Sequence, residues 1–284
     1  MFQDFPKEQY PQIKFVIGDI RDKFRLNRVL SDVDYVIHTA AMKYVETAEL
    51  NPDECIKTNI GGAENLVEAC LNSKVERVVA LSTDKACAPV SLYGATKLTS
   101  DKLFIAANNL TGDKDLKFSV VRFGNILGSS GSVVPYFLKK KVDGVLPITH
   151  PDMTRFTITL DKAVEMVMKA LKISWGGELF VPKIKSYNIM DLANAICPEC
   201  KKEIIGIRPG EKLHEQMISP SDSSHTYDMG NYYTIVPNIR LWDLNDYIKR
   251  FNAKVVSRDF SYSSDTNDSW EGVNSLKKLI SKIT

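Results

Sequence analysis

The sequence lacks any apolar run approaching the roughly 20 residues that span a bilayer. Its first residues, Met1-Phe2-Gln3-Asp4-Phe5-Pro6-Lys7-Glu8, are polar and lack the apolar core of a signal peptide. These absences argue against secretion and a membrane partner, and the expected location is cytoplasmic. An excess of one charge is also missing. There are 37 Lys plus Arg against 35 Asp plus Glu, a net charge of +2. That balance gives no electrostatic footprint for nucleic acid. Cysteine is scarce and odd in number: Cys55, Cys70, Cys87, Cys197 and Cys200. Such scatter suits a reducing compartment better than a disulfide framework. Cys197-Pro198-Glu199-Cys200 is a single C-x-x-C, and His38, His150, His214 and His225 supply no second pair of ligands. A structural zinc needs about four ligands, so no metal is expected and the two cysteines are read as unligated. Low-complexity tracts and fixed-period repeats are absent as well.

What is present is the length and pattern of a globular α/β chain. The 284 residues suffice for one large domain or two small ones, with 44% hydrophobic and 25% charged residues. Short β-branched runs alternate with helical patterns. Strands are expected at 14–17, 34–38, 77–82 and 118–123, and helices at 23–30 and 92–109. A long helix is expected to start at Asn51-Pro52, a good cap followed by a good first residue. Ile56, Ile60, Leu66, Val67 and Cys70 mark its buried side, while Asn59, Gly61 and Gly62 weaken its middle. Short apolar strands separated by helices form a parallel sheet covered on both faces. Further on, 160–172 reads as an amphipathic helix, with Val164, Val167, Met168 and Leu171 at helical spacing, and 177–181 as a strand. After about residue 184 the loops lengthen, as in a small mixed cap.

The chemistry-bearing stretch is Ser82-Thr83-Asp84-Lys85 followed by Leu92-Tyr93-Gly94-Ala95-Thr96-Lys97. The first group falls at the carboxyl end of a parallel strand, where open α/β sheets bind ligands. Tyr93 and Lys97 share one helix face. An ammonium beside a phenol favours the phenolate, which makes Tyr93 a candidate general base. Alone, a Tyr-x-x-x-Lys pair is common by chance; its context here is distinctive.

Several blocks carry a resemblance: "GDIRD", "NPDECIKTNIGGAEN", "ALSTDKAC", "LYGATKLTSDKLF", "GSVVPYF", "MTRFTITLD", "GGELFVPKI" and "IIGIRPGEKLHE". From about Phe15 to about Trp270 the chain resembles the extended short-chain dehydrogenase/reductase family. Within it, the closest resemblance is to the inverting UDP-N-acetylglucosamine 4,6-dehydratases of polysaccharide biosynthesis. Many hexose dehydratases end the strand in Thr-Asp-Glu; Thr83-Asp84-Lys85 resembles the inverting group. The resemblance implies a Rossmann-like doubly wound sheet, bound NADP (or NAD), a UDP-sugar substrate and a homo-oligomer. It implies that Tyr93 takes the 4-hydroxyl proton, Lys85 the C5 proton, and Asp84 protonates the leaving 6-hydroxyl. Lys97 and an oxidised nicotinamide would keep Lys85 partly neutral, and Thr83 would bond the sugar near C4. Asn59 would hold the helix kink. Cofactor contacts fall on Asp19, Ile20, Thr39, Ala40, Ala41, Lys43, Tyr93 and Lys97. Substrate contacts fall on Lys43, Asn125 and Val133, with Arg155 and Arg208 on the diphosphate; Glu211 and His214 are weaker candidates.

Two departures stand out. Ser130 in "LGSSGS" replaces an arginine common in the relatives, and no G-x-x-G-x-x-G turn precedes Lys14. The expectation is therefore an incomplete dinucleotide-binding domain at 1–130, with 157–182 returning to it, and a mainly substrate-binding region at 131–284. A strand at 14–17 would have no neighbour in the sheet, so the chain reads as a gene fragment that binds cofactor weakly. The alternatives are a UDP-sugar epimerase on the same framework and an inactive scaffolding subunit.

Overall fold

The computed structural model describes Phe5 and residues 9–283, so most of the polar N-terminal stretch lies outside it. The first helix, α1 (Lys23–Leu30), is capped by Asp22, whose side chain accepts from Arg25 N. Strand β1 (Tyr35–His38) follows, then α2 (Val45–Leu50), α3 (Pro52–Ile56), one π turn at Lys57–Gly61, and α4 (Gly62–Leu71). Next come β2 (Arg77–Thr83), α5 (Leu92–Ala107) and β3 (Lys117–Phe123). Strands β1, β2 and β3 are parallel and in register, with Ile37 opposite Val79 and Leu81 opposite Val121. Six of the seven β3 residues are buried, which is the signature of a strand covered on both faces. α5 packs on β2 and β3, and α4 packs on α5.

Beyond β3 lie β4 (Asn125–Ile126), α6 (Val133–Lys140), β5 (Val145–Ile148) and β6 (Thr154–Ile158). They are followed by α7 (Leu160–Ile173), β7 (Leu179–Pro182), β8 (Lys185–Asn188) and α8 (Ile189–Ile196). The chain continues through β9 (Lys201–Ile204), β10 (Gln216–Ile218), β11 (Thr226–Asp228) and β12 (Tyr232–Ile235). It ends with α9 (Leu244–Phe251), β13 (Lys254–Val255), β14 (Tyr262–Ser263) and α10 (Val273–Ile280). The main sheet has the order β1-β2-β3-β7-β12-β11-β13, parallel through β7 and antiparallel after it. A second core joins Val134, Phe137, Ile148, Tyr187, Leu192 and Leu276, and carries the small sheets β4-β6-β8 and β5-β9. No helix among the described residues is long and apolar enough to cross a membrane.

The fold is the expected Rossmann-like α/β type, with corrections. Residues 14–17 form no strand: β1 is the sheet edge, pairs only with β2, and has no strand beyond it among the described residues. The segment is irregular, with Ile17 87% exposed and its carbonyl accepting from Arg25 Nε at 2.8 Å. The helix from Pro52 is not continuous. The extra residue of the π turn rotates the helix face, so Ile56 is exposed while Leu66, Val67 and Cys70 are buried. In α7 the buried stripe is Ala163, Met166, Val167 and Ala170; Val164 and Met168 face outward. The region after 184 is less of a cap than expected, because β11, β12 and β13 extend the main sheet. Cys197 and Cys200 are bonded to each other across the turn that leaves α8, rather than free. Their Cα atoms are 5.3 Å apart, within the span a disulfide needs.

Candidate active site

At the carboxyl end of β2 the chain turns sharply through Asp84–Ala86, with the Thr83 hydroxyl accepting from Lys85 N. α5 begins directly against this turn, capped by Ser91 Oγ accepting from Gly94 N at 3.2 Å. Gly94 is required for that approach: a Cβ there would lie 2.3 Å from the Lys85 carbonyl oxygen. The local sequence therefore clamps Thr83, Asp84, Lys85, Tyr93 and Lys97 at one sheet rim.

Asp84 is fully buried. Its Oδ1 accepts from Thr83 Oγ1 at 2.9 Å and from Lys85 Nζ at 3.1 Å, while Oδ2 has no partner. Lys85 reaches from there to Glu215, with Nζ 3.3 Å from Oε1. Arg155 Nε stands 3.8 Å from the same oxygen, and Glu215 Oε2 has no partner. The two carboxyls are driven apart in acidity. Burial raises Asp84, and although Lys85 opposes it, Glu215 adds to the rise. Burial pushes Glu215 up too, but Lys85, Arg155 and Lys212 together hold it below its ordinary value. Burial disfavours the Lys85 ammonium, yet Asp84 and Glu215 outweigh it and hold the proton more tightly than usual. The expected neutralising effect of Lys97 on Lys85 is not what this arrangement produces.

Tyr93 is buried, and that burial pushes its phenol up to about 12. Lys85 and the Thr83 hydroxyl pull it back down, and Asp84 raises it. Lys85 is the cation that lowers it most. Lys97 donates instead to the Leu81 carbonyl at 2.7 Å, and its burial lowers its hold on the proton.

The cofactor-side candidates border one helical segment. Asn59, in the π turn, accepts from Met42 N at 2.8 Å and donates to Met42 O and Thr96 Oγ1, each at 3.0 Å. It pins the loop carrying Thr39, Ala40, Ala41 and Lys43 to α5. Gly62 makes room for Ile20, whose Cγ2 would be 2.8 Å from a Cβ, and Asn65 donates to the Arg21 carbonyl at 3.0 Å. Asp19 is locked by Arg21, whose guanidinium holds its carboxyl down at about 2.

On the substrate side, Lys43 Nζ donates to the Ser130 carbonyl at 2.8 Å, and Tyr44 Oη lies 3.3 Å from Ser130 Oγ. Asn125 lies on β4, close enough to Tyr187 to pull its phenol down, although burial raises that phenol on balance. Val133 opens α6. Arg208 sits at the half-exposed rim, paired with Glu211 and with Glu46 at 3.4 Å. Arg155 departs from its expected role. Its guanidinium donates to the carbonyls of Thr154 (2.7 Å), Leu213 (3.1 Å) and Lys212 (3.0 Å), because residues 212–215 fold onto β6. No fork is left for a diphosphate. His214 Nδ1 bonds Thr154 Oγ1 at 2.8 Å, outside the cluster. Glu215 and Tyr187 went unrecognised in the sequence. Glu215 closes the block "IIGIRPGEKLHE", but no periodicity marks it as facing Lys85.

The parallel sheet and this rim of phenol, amines and carboxyls define an extended short-chain dehydrogenase/reductase. The profile described as "Polysaccharide biosynthesis protein" matches residues 2–237, and the chain belongs to that family. A Campylobacter jejuni subsp. jejuni protein named UDP-N-acetylglucosamine 4,6-dehydratase (inverting) is 53% identical over 276 residues, covering 95% of this chain and 83% of its own length. A Rickettsia akari protein named UDP-glucose 4-epimerase is 38% identical over 277 residues, covering 95% of this chain and 80% of its own. The X-ray structure of Pen from Bacillus thuringiensis superposes with a TM-score of 0.87 at 34% identity, covering 99% of this chain and 86% of that one.

Proposed function

We propose that the chain is an inverting nucleotide-sugar 4,6-dehydratase acting on UDP-N-acetylglucosamine. The observation that carries this reading is the buried Asp84, with one oxygen unpartnered, beside Lys85 and Tyr93. Epimerisation at C4 needs only a base for O4. Dehydration needs in addition a base for C5 and an acid for O6, and Lys85 and Asp84 supply that pair. The relative at 53% identity supports the same choice over the epimerase at 38%.

The residues present fit a nicotinamide dinucleotide, NADP or NAD. Ala40 and Ala41 leave backbone open beyond β1, and Lys97 donates only one of its three N–H groups, to Leu81. Thr39, Ala40, Ala41, Tyr93 and Lys97 would hold its nicotinamide half, and Asp19 and Ile20 its adenine. A bound nicotinamide would supply reversible hydride acceptance, so that C4 is oxidised and C6 reduced with no net redox change. Tyr93 takes the O4 proton, with Thr83 steadying the phenolate. The 4-ketone acidifies C5–H. With its own proton passed to Asp84 Oδ1, 3.1 Å away, the neutral Lys85 amine takes the C5 proton, the electron pair forms C5=C6, and O6 leaves as water with the Asp84 proton. Protonation of C5 from the other face inverts it. Lys43, Asn125, Val133 and Arg208 would frame the UDP-sugar. A homo-oligomer through the helices bearing Asn59 and Tyr93, and a cytoplasmic location, belong to the same reading; Leu50 and Ile56 expose apolar surface there.

The test is NMR of the product formed from UDP-N-acetylglucosamine and NADP in deuterated water. A 4-ketone, a C6 methyl and deuterium at an inverted C5 are expected. A C4 or C5 epimer that keeps its 6-hydroxyl would contradict the reading.

A further inference from the structure

We infer that Glu215 is a positioning residue for proton removal at C5: it holds the Lys85 amine in place and its charge decides when that amine gives up its proton. The inference rests on the dehydratase reading. Glu215 is 2% exposed, and its Oε1 bridges Lys85 Nζ (3.3 Å) and Arg155 Nε (3.8 Å). Its backbone is fixed on both sides by Ser264, whose Oγ accepts from Glu215 N at 2.9 Å and whose N donates to Glu215 O at 2.8 Å. Ser264 Oγ is 2.7 Å from Thr154 Oγ1, so β6 sets the height of the carboxylate. Lys85 is thereby strung between two carboxyls of opposite character. Asp84 on one side is raised by burial; Glu215 on the other is kept ionised by its cations.

A neutral Lys85 amine accepts the C5 proton and becomes ammonium, while Asp84 loses its proton to O6. The pair must then be reset, and Lys85 must shed a proton against the attraction of Glu215. Every charged or titratable group facing Lys85 enters this balance. They are Asp84 on its own turn, Glu215 with Lys212 behind it, Arg155 on β6, Tyr93 on α5 and Tyr187 on β8. Removing the Glu215 charge leaves Arg155 to repel the ammonium, so Lys85 should deprotonate at lower pH.

Two readouts test this in the full chain with Glu215→Gln. The first is the pH dependence of Lys85 acylation by acetic anhydride, followed by mass spectrometry. It needs neither cofactor nor turnover. The second is deuterium exchange at C5 of the preformed UDP-linked 4-keto-6-deoxy sugar. For Glu215→Gln the acylation midpoint is expected to move to lower pH by roughly one unit or more, with the rising limb of C5 exchange moving the same way. Glu215→Asp, which keeps the charge, should restore the wild-type midpoint. If Glu215→Gln fails to fold, the Asp variant carries the test, since a purely structural role predicts that it lowers activity without preserving the profile. Acylation curves that superimpose for wild type and Glu215→Gln overturn the inference. If the wild type exchanges no C5 proton while Glu215→Gln still moves the acylation midpoint, the dehydratase reading is overturned and the coupling stands.

Discussion

Two buried carboxylate–cation clusters lie at the same end of β2, and they are built in opposite ways. In one, Asp101 Oδ2 accepts from Ser82 Oγ at 2.6 Å and from Arg122 at 3.1 Å, and Arg122 also donates to the Met217 carbonyl at 3.0 Å. Its one loose end is Arg122 Nε. In the other, Asp84, Lys85, Glu215 and Arg155 share contacts of 3.1 to 3.8 Å, and a carboxylate oxygen on each acid has no partner at all. The first cluster ties α5 to the sheet. The second, in the turn that follows the same strand, keeps polar atoms unmatched in a place where burial should penalise them. Such local conflict is expected where a fold serves chemistry rather than its own stability.

The comparison breaks most sharply at Asp84. Burial raises this carboxyl, so its ionised form opposes folding, and the opposition grows as pH rises through its titration. Asp84→Asn should therefore cut turnover by roughly 10²–10⁴-fold without lowering the thermal midpoint. Product formation and a melting scan at pH 7 check the two halves. Asp101→Ala should behave in the opposite sense. It strands Arg122 and should lower stability by about 3–5 kcal/mol, read from urea midpoints.

A third buried group sharpens the boundary between the two kinds. His38 at the end of β1 is 4% exposed, packs 5.3 Å from the Phe104 ring, and is pushed down to about 3 by burial and then by Lys97. The unfolded chain binds this proton near the ordinary histidine value and the folded chain does not. Stability should therefore fall as pH drops from about 6.5 toward 3, by roughly 3 kcal/mol between pH 7 and pH 4. His38→Leu should remove most of that slope in urea titrations at the two pH values. Gly94→Ala comes last. Its Cβ would push on the Lys85 carbonyl from 2.3 Å, and a displacement near 1 Å costs about 10²-fold in rate. C5 exchange should fall, and the melting temperature should fall with it, because the clash is with backbone rather than with a side chain that can turn aside.

The active cluster was half legible in the sequence, and the division has a physical cause. Thr83, Asp84, Lys85, Tyr93 and Lys97 fall within fifteen residues, on a strand end and the next helix, so local geometry alone brings them together. The irregularity at Asn59, Gly61 and Gly62 was likewise local, and became the π turn. Glu215 was not readable because it arrives from a loop across the sheet, held by Ser264 and β6. For the same reason Arg155 looked like a free phosphate fork, although the backbone of 212–213 takes it up. The antiparallel extension by β11, β12 and β13 was missed because those strands are only two to four residues long. Residues 14–17 have the β-branched and aromatic make-up of a strand, yet they form none among the described residues.

Infrared difference spectroscopy at pH 5 tests the division of labour between the two acids most directly. An ordinary aspartate is ionised there. Wild type minus Asp84→Asn should show the carbonyl stretch of a protonated carboxyl, and wild type minus Glu215→Gln should show none. A protonated band that vanishes with Glu215→Gln and survives Asp84→Asn would mean that the acid and the counter-ion have been assigned the wrong way round.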